Sequence, residues 1–447
     1  MDMDAANKDY VFKTIKQRNI HFIRLWFTDA LGRMKSFAIT PSELAAAFEE
    51  GMGFDGGCIE GYRHSDEADM LAFPDATTFQ TLPWRPVDNG VARMFCNVVT
   101  PDGTPFDGDP RRILSRMLDR VQDLGFSTTV GPKMEFYYFK SPDAPEPIDR
   151  GSYFDLTTLD NATDLRRDTV LTLEQMGIPV EYSHHELGPG QQEIHLRADD
   201  ALSMADAIMT YRLVVKEIAI KHGCHASFMP KPLAGQPGSA MHIHQSLFNF
   251  DDDNVFYDAD DPSGYGLSAL AKSYIAGLIK YAPEFTLITN QYVNSYKRLQ
   301  PGKGAPVFCG WTNRDRNALV RVPRYKPGKA ESARIELRSP DPSCNPYLAF
   351  AVMLGAGLKG IEEGLELGPE LSEDAIRMSV EELEAAGIKR LPRDLGEAVD
   401  AFRGSQLMRE ILGEHMHSYI VQAKQAEWTE YCSTVSAWEL DRYLAVL

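Results

Sequence analysis

The sequence is poor in cysteine, and its six cysteines are scattered without any CxxC pair. This scarcity argues against a zinc ribbon and a disulfide scaffold, and it favours a reducing compartment. Long hydrophobic runs are also missing, since the longest, residues 348–358, has the length of a core helix and is too short to cross a membrane. The start of the chain lacks the basic residues and apolar stretch of a signal peptide. We therefore expect a cytoplasmic protein.

The chain also lacks positive charge as a whole, with a formal net charge of -18 at pH 7. This balance argues against nucleic acid and against a membrane surface as partners. Positive charge is nevertheless concentrated in residues 297–338, where eleven lysines and arginines accompany only three acids. A solvated basic face is the ordinary explanation for such a segment. Here the arginines alternate with proline, valine and isoleucine, so we interpret the segment as lying near a bound anion.

The length of 447 residues, with 43% hydrophobic and 25% charged residues, predicts a globular protein with one large domain and a smaller companion. Apolar strands at residues 21–28 and 34–40 predict a hairpin. Residues 40–43 have the pattern of a capping box, for a helix that Gly51 ends. A stretch rich in glycine and proline separates a domain of residues 1–105 from one of residues 106–447. The second domain alternates short strands with predicted helices at residues 163–176, 201–222 and 268–281.

Four predicted strands of the second domain have ligand-type side chains on one face. Side chains alternate along a strand, so a half-buried strand ordinarily has one apolar face and one unremarkable polar face. Here the polar face of each strand has residues that commonly bind metals or anions. The four sets are Glu135 on the first strand, Gln191, Glu193, His195 and Arg197 on the second, His242, His244 and Ser246 on the third, and Arg334, Glu336 and Arg338 on the fourth. Glu186 precedes the Gly-Pro-Gly turn that enters the second strand. Any one of these strands alone would suit a solvent-facing edge, but four together predict a sheet with a polar site on its concave face.

Several carboxylates that face one cavity repel each other and raise each other's pKa values. Divalent cations relieve this repulsion, and oxygen ligands with one imidazole suit Mg²⁺ or Mn²⁺ better than zinc. Acids for metals combined with arginines for anions are typical of phosphoryl transfer. The sequence has no Walker-type GxxxxGK[ST] motif and no convincing GxGxxG motif. We therefore expect the sheet and its metals, rather than a glycine-rich loop, to bind a nucleotide.

Six segments, in this order and spacing, resemble the glutamine synthetase family, type I, over nearly the whole chain. They are FDGGCIEGY (54–62), the strand with Glu135, HHELGPGQQE (184–193), PGSAMHIHQSL (237–247), NSYKRLQPGKGAPV (294–307) and RIELRSPDPSCNPY (334–347). The resemblance implies an α+β fold, with an N-terminal β-grasp domain and a catalytic domain built on a curved antiparallel sheet surrounded by helices. It implies a dodecamer of two hexameric rings, in which neighbouring subunits share each active site. It also implies an ATP-dependent ligase of nitrogen metabolism that joins glutamate to ammonia or an amine.

The resemblance further implies roles for individual residues. The first Mg²⁺ or Mn²⁺ would bind Glu135, Glu186 and Glu193, and the second would bind His242 and Glu336. Glutamate would contact Gly238, Arg298 and Arg338, and ATP would lie near His244, Ser246, Arg321 and Arg334. Arg316 would stabilise the phosphoryl group in transfer. Asp55, from the adjacent subunit, would bind and deprotonate the incoming nitrogen.

The sequence departs from the family pattern at three places. Lys133 stands where the family has a glutamate ligand of the second metal, so it could replace that metal's charge, pair with a carboxylate or point away. Gly304 stands where the family's flap has a glutamate that helps to form the ammonium pocket. Gly57 and Cys58 stand where the family usually has two serines. These changes fit an acceptor such as a primary amine or polyamine, and they equally fit a decay of activity.

Two function classes therefore remain after the sequence is considered. The first is a γ-glutamyl ligase that uses ammonia or an amine. The second is a catalytically weakened paralogue that keeps the ring assembly and has a regulatory or structural role. The intact arginines and the five remaining metal ligands favour the enzyme. A guanidino kinase with a similar sheet is disfavoured, because the residues that would bind glutamate are present.

Overall fold

The computed structural model describes residues 3–62, 68–86, 88–301, 304–314, 317–324, 329–371 and 378–447. Arg316 is the one predicted site residue outside these ranges. The N-terminal part contains helices α1 (Met3–Gln17) and α2 (Leu44–Glu50) and strands β1 (Ile20–Thr28), β2 (Met34–Ile39), β3 (Met52–Asp55), β4 (Asp69–Pro74), β5 (Gln80–Thr81) and β6 (Gly90–Val99). These strands form a sheet in the order β2-β1-β6-β4-β3, with β5 on β6. Strands β1 and β6 are parallel and the other pairs are antiparallel.

The predicted hairpin is confirmed as the antiparallel pair of β1 and β2. The predicted capping box is wrong. The hydroxyl of Thr40 lies 2.8 Å from that of Ser42 and caps no backbone N–H, while Pro41–Glu43 form a short 3-10 turn before α2. The hydroxyl pair removes the oxygen that a cap would need. Gly51, with φ of 73°, follows the last residue of α2, as the sequence predicts.

The larger sheet contains the four strands that the sequence singles out. Its strands are β7 (Ser127–Phe139), β8 (Val180–His185), β9 (Gln191–Leu196), β10 (His225–Ser227), β11 (Met241–Phe248), β12 (Trp311–Thr312), β13 (Val320–Arg321) and β14 (Ile335–Leu337). Their order is β12-β13-β14-β11-β7-β9-β8, and β10 pairs with β7. The expectation of an antiparallel sheet needs one correction, because β12 and β13 are parallel and the sheet is mixed.

Helices cover one face of this sheet and continue to the end of the chain. They are α3 (Pro110–Asp123), α4 (Thr163–Gln175), α5 (Ala201–Lys221), α6 (Ala269–Thr289), α7 (Ser295–Arg298), α8 (Pro346–Glu362), α9 (Val380–Ala385), α10 (Leu395–Arg403), α11 (Gln406–Leu412), α12 (Glu414–Ser433) and α13 (Ala437–Tyr443). Helix α6 was expected to end at residue 281, but it continues through Pro283 because Phe285, Leu287 and Ile288 are buried in the core. Among the described helices, none combines the length and the apolar character needed to span a membrane.

The position of the core decides where a polar site can lie. Met134, Phe136 and Tyr138 of β7 are fully buried in the main hydrophobic cluster, together with residues of α5, α6 and α8. Because side chains alternate along β7, Lys133 and Glu135 point to the opposite face. The face of the sheet opposite this core is therefore the polar face that the sequence predicts.

Candidate functional site

A cavity of about 340 Å³ lies on this polar face, within the usual size range of small-molecule sites. Carboxylates and imidazoles from β7, β8, β9, β11 and β14 line it, together with arginines from α7 and β13. The predicted site residues that it brings together are Lys133, Glu135, Glu186, Glu193, Gly238, His242, Arg298, Gly304, Arg321, Glu336 and Arg338. The cavity is therefore made by residues that are up to two hundred positions apart in the chain.

One end of the cavity is acidic. Strand register places Glu193 of β9 beside Glu135 of β7 and beside His184 of β8. His184 Nε2 lies 3.0 Å from Glu186 Oε1 and 4.0 Å from Glu193 Oε2. One ligand atom from each of these three residues lies within 4.8 Å of the others, which is close enough to hold a single metal ion. Glu135 lies beside them, and its Oε2 accepts hydrogen bonds from Ala240 N at 2.9 Å and Gln191 Nε2 at 3.2 Å.

The pKa values of Glu135 and Glu193 at this end are raised, because the carboxylates are buried and repel each other. Burial and the neighbouring Glu186 raise the pKa of Glu193 to about 8. Burial and both neighbouring carboxylates raise the pKa of Glu135 well above its ordinary value. Burial also opposes ionisation of Glu186, but hydrogen bonds with His184 and Glu193 outweigh it and lower the pKa of Glu186. An oxygen-rich cluster with one imidazole fits Mg²⁺ or Mn²⁺, which would remove this repulsion.

The other end of the cavity is built around Glu336, whose charge is already neutralised. Its Oε1 accepts a hydrogen bond from Arg338 at 2.5 Å, and its Oε2 accepts one from Arg321 at 2.8 Å. His242 Nδ1 lies 3.7 Å from Glu336 Oε1. Burial opposes ionisation of Glu336, but its positive and imidazole neighbours hold its pKa below the ordinary value. Burial also lowers the pKa of His242, so the imidazole is neutral and has a lone pair that can bind a metal ion.

Lys133 lies between the two ends. It pairs in register with His195 of β9 and with His242 of β11, and it lines the cavity. The pKa of Lys133 is lowered by burial, which the nearby Glu336 and Glu193 partly offset. The alternative that Lys133 points away from the site is therefore wrong. Its positive charge interacts with Glu193 at the acidic end and with Glu336 at the other end.

The residues predicted to contact glutamate lie along one wall. Arg298 is 4% exposed, and it donates to the carbonyl of Ser339 at 2.7 Å and to that of Arg338 at 3.0 Å. Gly238 packs tightly against Arg298, and a Cβ at residue 238 would lie 2.6 Å from the carbonyl oxygen of Pro230. Only glycine fits there, so the backbone of residue 238 is available to a ligand.

The residues predicted to bind ATP continue along the sheet beyond the cavity lining. Arg334 Nε donates to His244 Nδ1 at 3.2 Å, and the hydroxyl of Ser246 donates to the carbonyl of Ala333 at 2.8 Å. Arg321 alone among the four lines the cavity. The row from Arg321 to Ser246 extends the polar face toward the end of β11.

Asp55 and Cys58 do not reach this cavity within one chain. Asp55 ends β3 in the N-terminal sheet, where it accepts a hydrogen bond from Gly57 N at 2.7 Å, and Cys58 is exposed in the following turn. Within the described ranges, no residue before Lys133 lines the cavity. The predicted role of Asp55 would therefore require a second subunit.

Three polar residues that line the cavity were not predicted from the sequence: Tyr153, Tyr182 and His184. Gln191 and His195 also line it; they were predicted on a ligand-type strand face but were given no role. His184 and Gln191 lie in a segment already singled out, and the pairing of His184 with Glu193 would have identified the histidine once the order of strands was known. Tyr153 comes from the segment between β7 and α4, for which the sequence pattern has no signal.

A second acidic cluster, Asp149, Asp160 and His185, is already satisfied by the protein. Asp149 accepts hydrogen bonds from His185 Nε2 at 3.0 Å and from Gly190 N at 2.7 Å. Asp160 pairs with Arg166 at 2.6 Å. This cluster fixes the loop before α4 against the turn that positions Glu186, and its lone pairs are used in doing so.

Comparison with known proteins agrees with the family resemblance of the sequence over nearly the whole chain. Residues 19–101 match the family described as glutamine synthetase, beta-grasp domain, and residues 107–443 match glutamine synthetase, catalytic domain. The chain is 51% identical to the glutamine synthetase of Mycolicibacterium smegmatis, over 98% of this chain and 99% of that protein. It is 48% identical to the glutamine synthetase of Methanosarcina mazei, over 99% of each. Among solved structures, a GmaS/ADP complex is similar with a TM-score of 0.88 and 30% identity, over 97% of this chain and 99% of that one. The chain belongs to the glutamine synthetase family.

Proposed function

We propose that this chain, a ligase of the glutamine synthetase family, joins the γ-carboxyl of glutamate to a primary amine, with ammonia as a poorer acceptor. The observation that carries the proposal is a single cavity with an acidic cluster at one end and Arg321 and Arg338 at the other. ATP would transfer its γ-phosphoryl group to a γ-carboxylate oxygen and leave as ADP. The nitrogen would then attack the acyl carbon, phosphate would leave with the carboxylate oxygen, and the nitrogen would lose a proton.

Glu135, Glu186 and Glu193 would hold the first divalent ion, with His184 as a fourth donor. The raised pKa values of Glu135 and Glu193 support this assignment, because the cluster is short of positive charge. When bound, Mg²⁺ or Mn²⁺ would neutralise the carboxylates and bind phosphate oxygens. Gln191 and the backbone of Ala240 orient Glu135 for this purpose.

His242 and Glu336 do not fit a second divalent ion in the same way. Both carboxylate oxygens of Glu336 already accept hydrogen bonds from arginines, and Lys133 lies beside it. A dication next to this ammonium and these guanidinium groups would be repelled. We therefore propose that the ammonium of Lys133 supplies the positive charge at this end of the cavity. This proposal accounts for the lysine without requiring a loss of activity.

The substrate roles follow from the walls of the cavity. Arg338 and the backbone of Gly238 would contact the glutamate, while Arg298 fixes the loop that contains Arg338. His244, Ser246, Arg321 and Arg334 would surround ATP. Arg316, which lies outside the described residues, would stabilise the phosphoryl group in transfer. Asp55 of an adjacent subunit would deprotonate the nitrogen.

The choice of an amine over ammonia rests on the mouth of the cavity. Gly304 lines it with φ of +75°, and the space where a Cβ would lie contains no atom within 4 Å. The family's flap carboxylate is absent from this position, so a small cation is attracted less and a larger acceptor has room. Gly57 and Cys58 make the adjacent subunit's contribution less polar as well.

The finer assignments complete the proposal. We propose a cytoplasmic dodecamer of two hexameric rings, with domains of residues 1–105 and 106–447. The alternative, a weakened paralogue with a regulatory or structural role, is favoured only by the departures at Lys133, Gly304 and Cys58. The identity of 51% to a named glutamine synthetase supports the enzyme.

Phosphate release from ATP separates these possibilities. The assay contains glutamate, Mg²⁺ and one of ammonia, methylamine, ethanolamine, putrescine or spermine, and mass spectrometry identifies the γ-glutamyl product. We expect release with at least one amine to exceed release with ammonia. Glu193→Gln should abolish it, while Glu181→Gln, an exposed carboxylate on β8, should not. Release with ammonia alone would overturn the amine proposal, and no release with any acceptor would select the paralogue.

A further inference from the structure

A second cavity, of about 720 Å³, lies apart from the catalytic one and shares none of its lining residues. The turn between β1 and β2 forms one wall, and α5 forms another. The remaining walls come from residues 228–230, 292–294 and 342–343. Its volume lies within the range of small-molecule sites. The family resemblance assigns no role to this cavity.

Positive charge is in excess in this cavity. Arg33, Arg212 and Lys216 line it, against the single carboxylate of Glu427. That carboxylate is already engaged, because it accepts hydrogen bonds from Lys424 Nζ at 2.9 Å and from Val293 N at 3.2 Å. The three cations therefore have no counter-charge of their own in the lining.

Arg212 is buried, with only 9% of its surface exposed, and its hydrogen-bond donors are only partly paired. One terminal nitrogen donates to the carbonyl of Cys344 at 2.7 Å, and the other contacts Met209 Sδ at 3.8 Å. Its Nε is buried and has no hydrogen-bond partner among the described residues. A buried N–H without an acceptor, such as that of Nε, costs free energy, and a bound anion would recover this cost.

Lys216 lies one turn further along α5, on the same face as Arg212. Like charges at this spacing destabilise a helix. In the part of the chain that the structure describes, Lys216 has no carboxylate within ion-pair distance, and its Nζ lies 5.7 Å from the centre of the Phe228 ring. Burial and the charge of Arg212 lower the pKa of Lys216. Arg212 and Lys216 therefore place two positive charges on the same wall of the cavity.

We propose that this cavity binds a small organic acid, with its carboxylate between Arg212 and Lys216 and its apolar part against Phe228, Met209 and Leu31. The apolar lining distinguishes such a ligand from inorganic phosphate, which could use the cations only. Unbranched methionines adapt to ligands of different shape, so the cavity suits a flexible or aromatic acid. Arg33 lies at the turn beside it and adds long-range attraction.

Hydrogen bonds at Asn294 and Pro230, which line the second cavity, connect it to the proposed glutamate site. The side chain of Asn294, which precedes α7 and Arg298, accepts a hydrogen bond from Lys231 N at 2.7 Å and donates to its carbonyl at 3.1 Å. The carbonyl of the adjacent Pro230 accepts from Ser239 N at 2.8 Å, next to Gly238. A bound acid would change the affinity for glutamate. That consequence rests on the proposed function, whereas the binding itself does not.

Calorimetric titration of the full chain, without ATP, tests the proposal. The probes are hexanoate, phenylacetate and glutarate, with 2-phenylethanol as a neutral control and inorganic phosphate as a second anion. We expect at least one carboxylate to bind and the neutral alcohol not to bind. Lys216→Met should weaken carboxylate binding by about tenfold, the value of one charged hydrogen bond, and Arg33→Gln, which removes only long-range attraction, should weaken it by about twofold. Lys221→Met, on the same helix outside the cavity, should leave it unchanged.

Three results would overturn the proposal: no binding of any carboxylate at millimolar concentration, equal binding by the Lys216→Met protein, or phosphate binding as tightly as the best carboxylate. Binding at the catalytic cavity is recognised by Arg338→Gln, which should not affect the second cavity. Lys216→Met and Arg33→Gln both change exposed residues, and thermal unfolding checks that both variants fold. Because no turnover is measured, failure of the ligase proposal would leave this test intact.

Discussion

At the scale of single residues, Lys133 has the largest effect on how the site must work. It is surrounded by groups that would otherwise hold a divalent ion, and it faces them on the same side of β7. The sequence alone predicted its strand and its departure from the family, but not its direction, because whether a lysine pairs or turns away depends on neighbours from other strands. Those neighbours, Glu336 and Glu193, attract the ammonium into the cavity.

Lys133→Glu should create the second metal site. It replaces an ammonium with a third ligand beside His242 and Glu336, and it should tighten Mg²⁺ or Mn²⁺ binding by about tenfold, the scale of a single ligand-shell change. Calorimetry with Mn²⁺ should find one ion per wild-type chain and two per variant chain. Lys140→Glu, an exposed charge reversal beyond the cavity end of β7, should leave the number at one. An unchanged stoichiometry for Lys133→Glu would refute the role given to Lys133.

Glu193 should make the metal-free protein sensitive to pH. Its pKa of about 8 lies above the 4.5 of a free glutamate carboxyl, so the folded state binds this proton more tightly than the unfolded state. Ionising Glu193 in the folded protein costs free energy of unfolding. This loss of stability is absent below the unfolded pKa of 4.5, grows as the pH rises toward the folded pKa of about 8, and levels off above it. In EDTA, the free energy of unfolding of Glu193→Gln relative to wild type should therefore increase from about pH 5 to about pH 9. A difference that stays constant over this range would show that Glu193 ionises normally.

At the scale of elements, strand alternation was the reliable signal. It placed the ligand-type residues of β7, β9, β11 and β14 on one face without knowledge of the strand order. Signals carried by only a few residues were less reliable. The hydroxyls of Thr40 and Ser42 bind each other instead of capping α2, and the apolar face of α6 outweighs Pro283. In both places tertiary packing or a local hydrogen bond competes with the motif, and the sequence does not say which is stronger.

Asn345 joins two elements, and its loss should be costly. Its side-chain oxygen caps α8 by accepting from Tyr347 N at 3.1 Å, while its amide nitrogen donates to the carbonyls of Asp29 and Ala30 at 3.3 and 3.2 Å. Asn345→Ala removes the cap and takes the side-chain donor from the carbonyl of Ala30, whereas the carbonyl of Asp29 still accepts from Gly32 N at 3.0 Å, so we expect a loss of about 2 kcal/mol. Asn345→Ser retains the cap and should lose about half as much. Urea unfolding measures both, and equal losses would mean that the junction with the β1–β2 turn contributes nothing.

The loop at Gly304 should control the acceptor. Its φ of +75° strains most side chains, but aspartate and asparagine tolerate this region. Gly304→Asp restores a carboxylate at the mouth of the cavity, and it should raise the kcat/KM for ammonia relative to methylamine by about tenfold. Gly304→Asn has nearly the same shape without the charge and should leave the ratio unchanged. The same ratio in both variants would show that space, and not charge, selects the acceptor.

At the scale of the whole molecule, the proposed site needs more than one chain. The metal and arginine residues converge within one chain, whereas Asp55 is in the N-terminal sheet and outside the lining. Sequence resemblance predicts a shared site, whereas alternation and periodicity do not, because they carry no information about a neighbouring subunit. In a ring, the same two unlike surfaces meet at every contact. Each site would therefore combine Asp55 of one subunit with Glu193 of the next.

Mixed oligomers test the shared site directly. Asp55→Ala chains and Glu193→Gln chains should each be inactive alone, since every site lacks one group. When equal amounts are co-expressed with different tags, about a quarter of the sites should combine two intact halves and recover about a quarter of the wild-type rate. The matched control places both changes in one chain and mixes it with wild type, which should give about a quarter for a shared site and about a half for a site within one chain. The control separates the two arrangements even if the chains assemble incompletely. A rate near a half in the control, together with no recovery in the first mixture, would show that Asp55 does not act in the site of a neighbouring subunit.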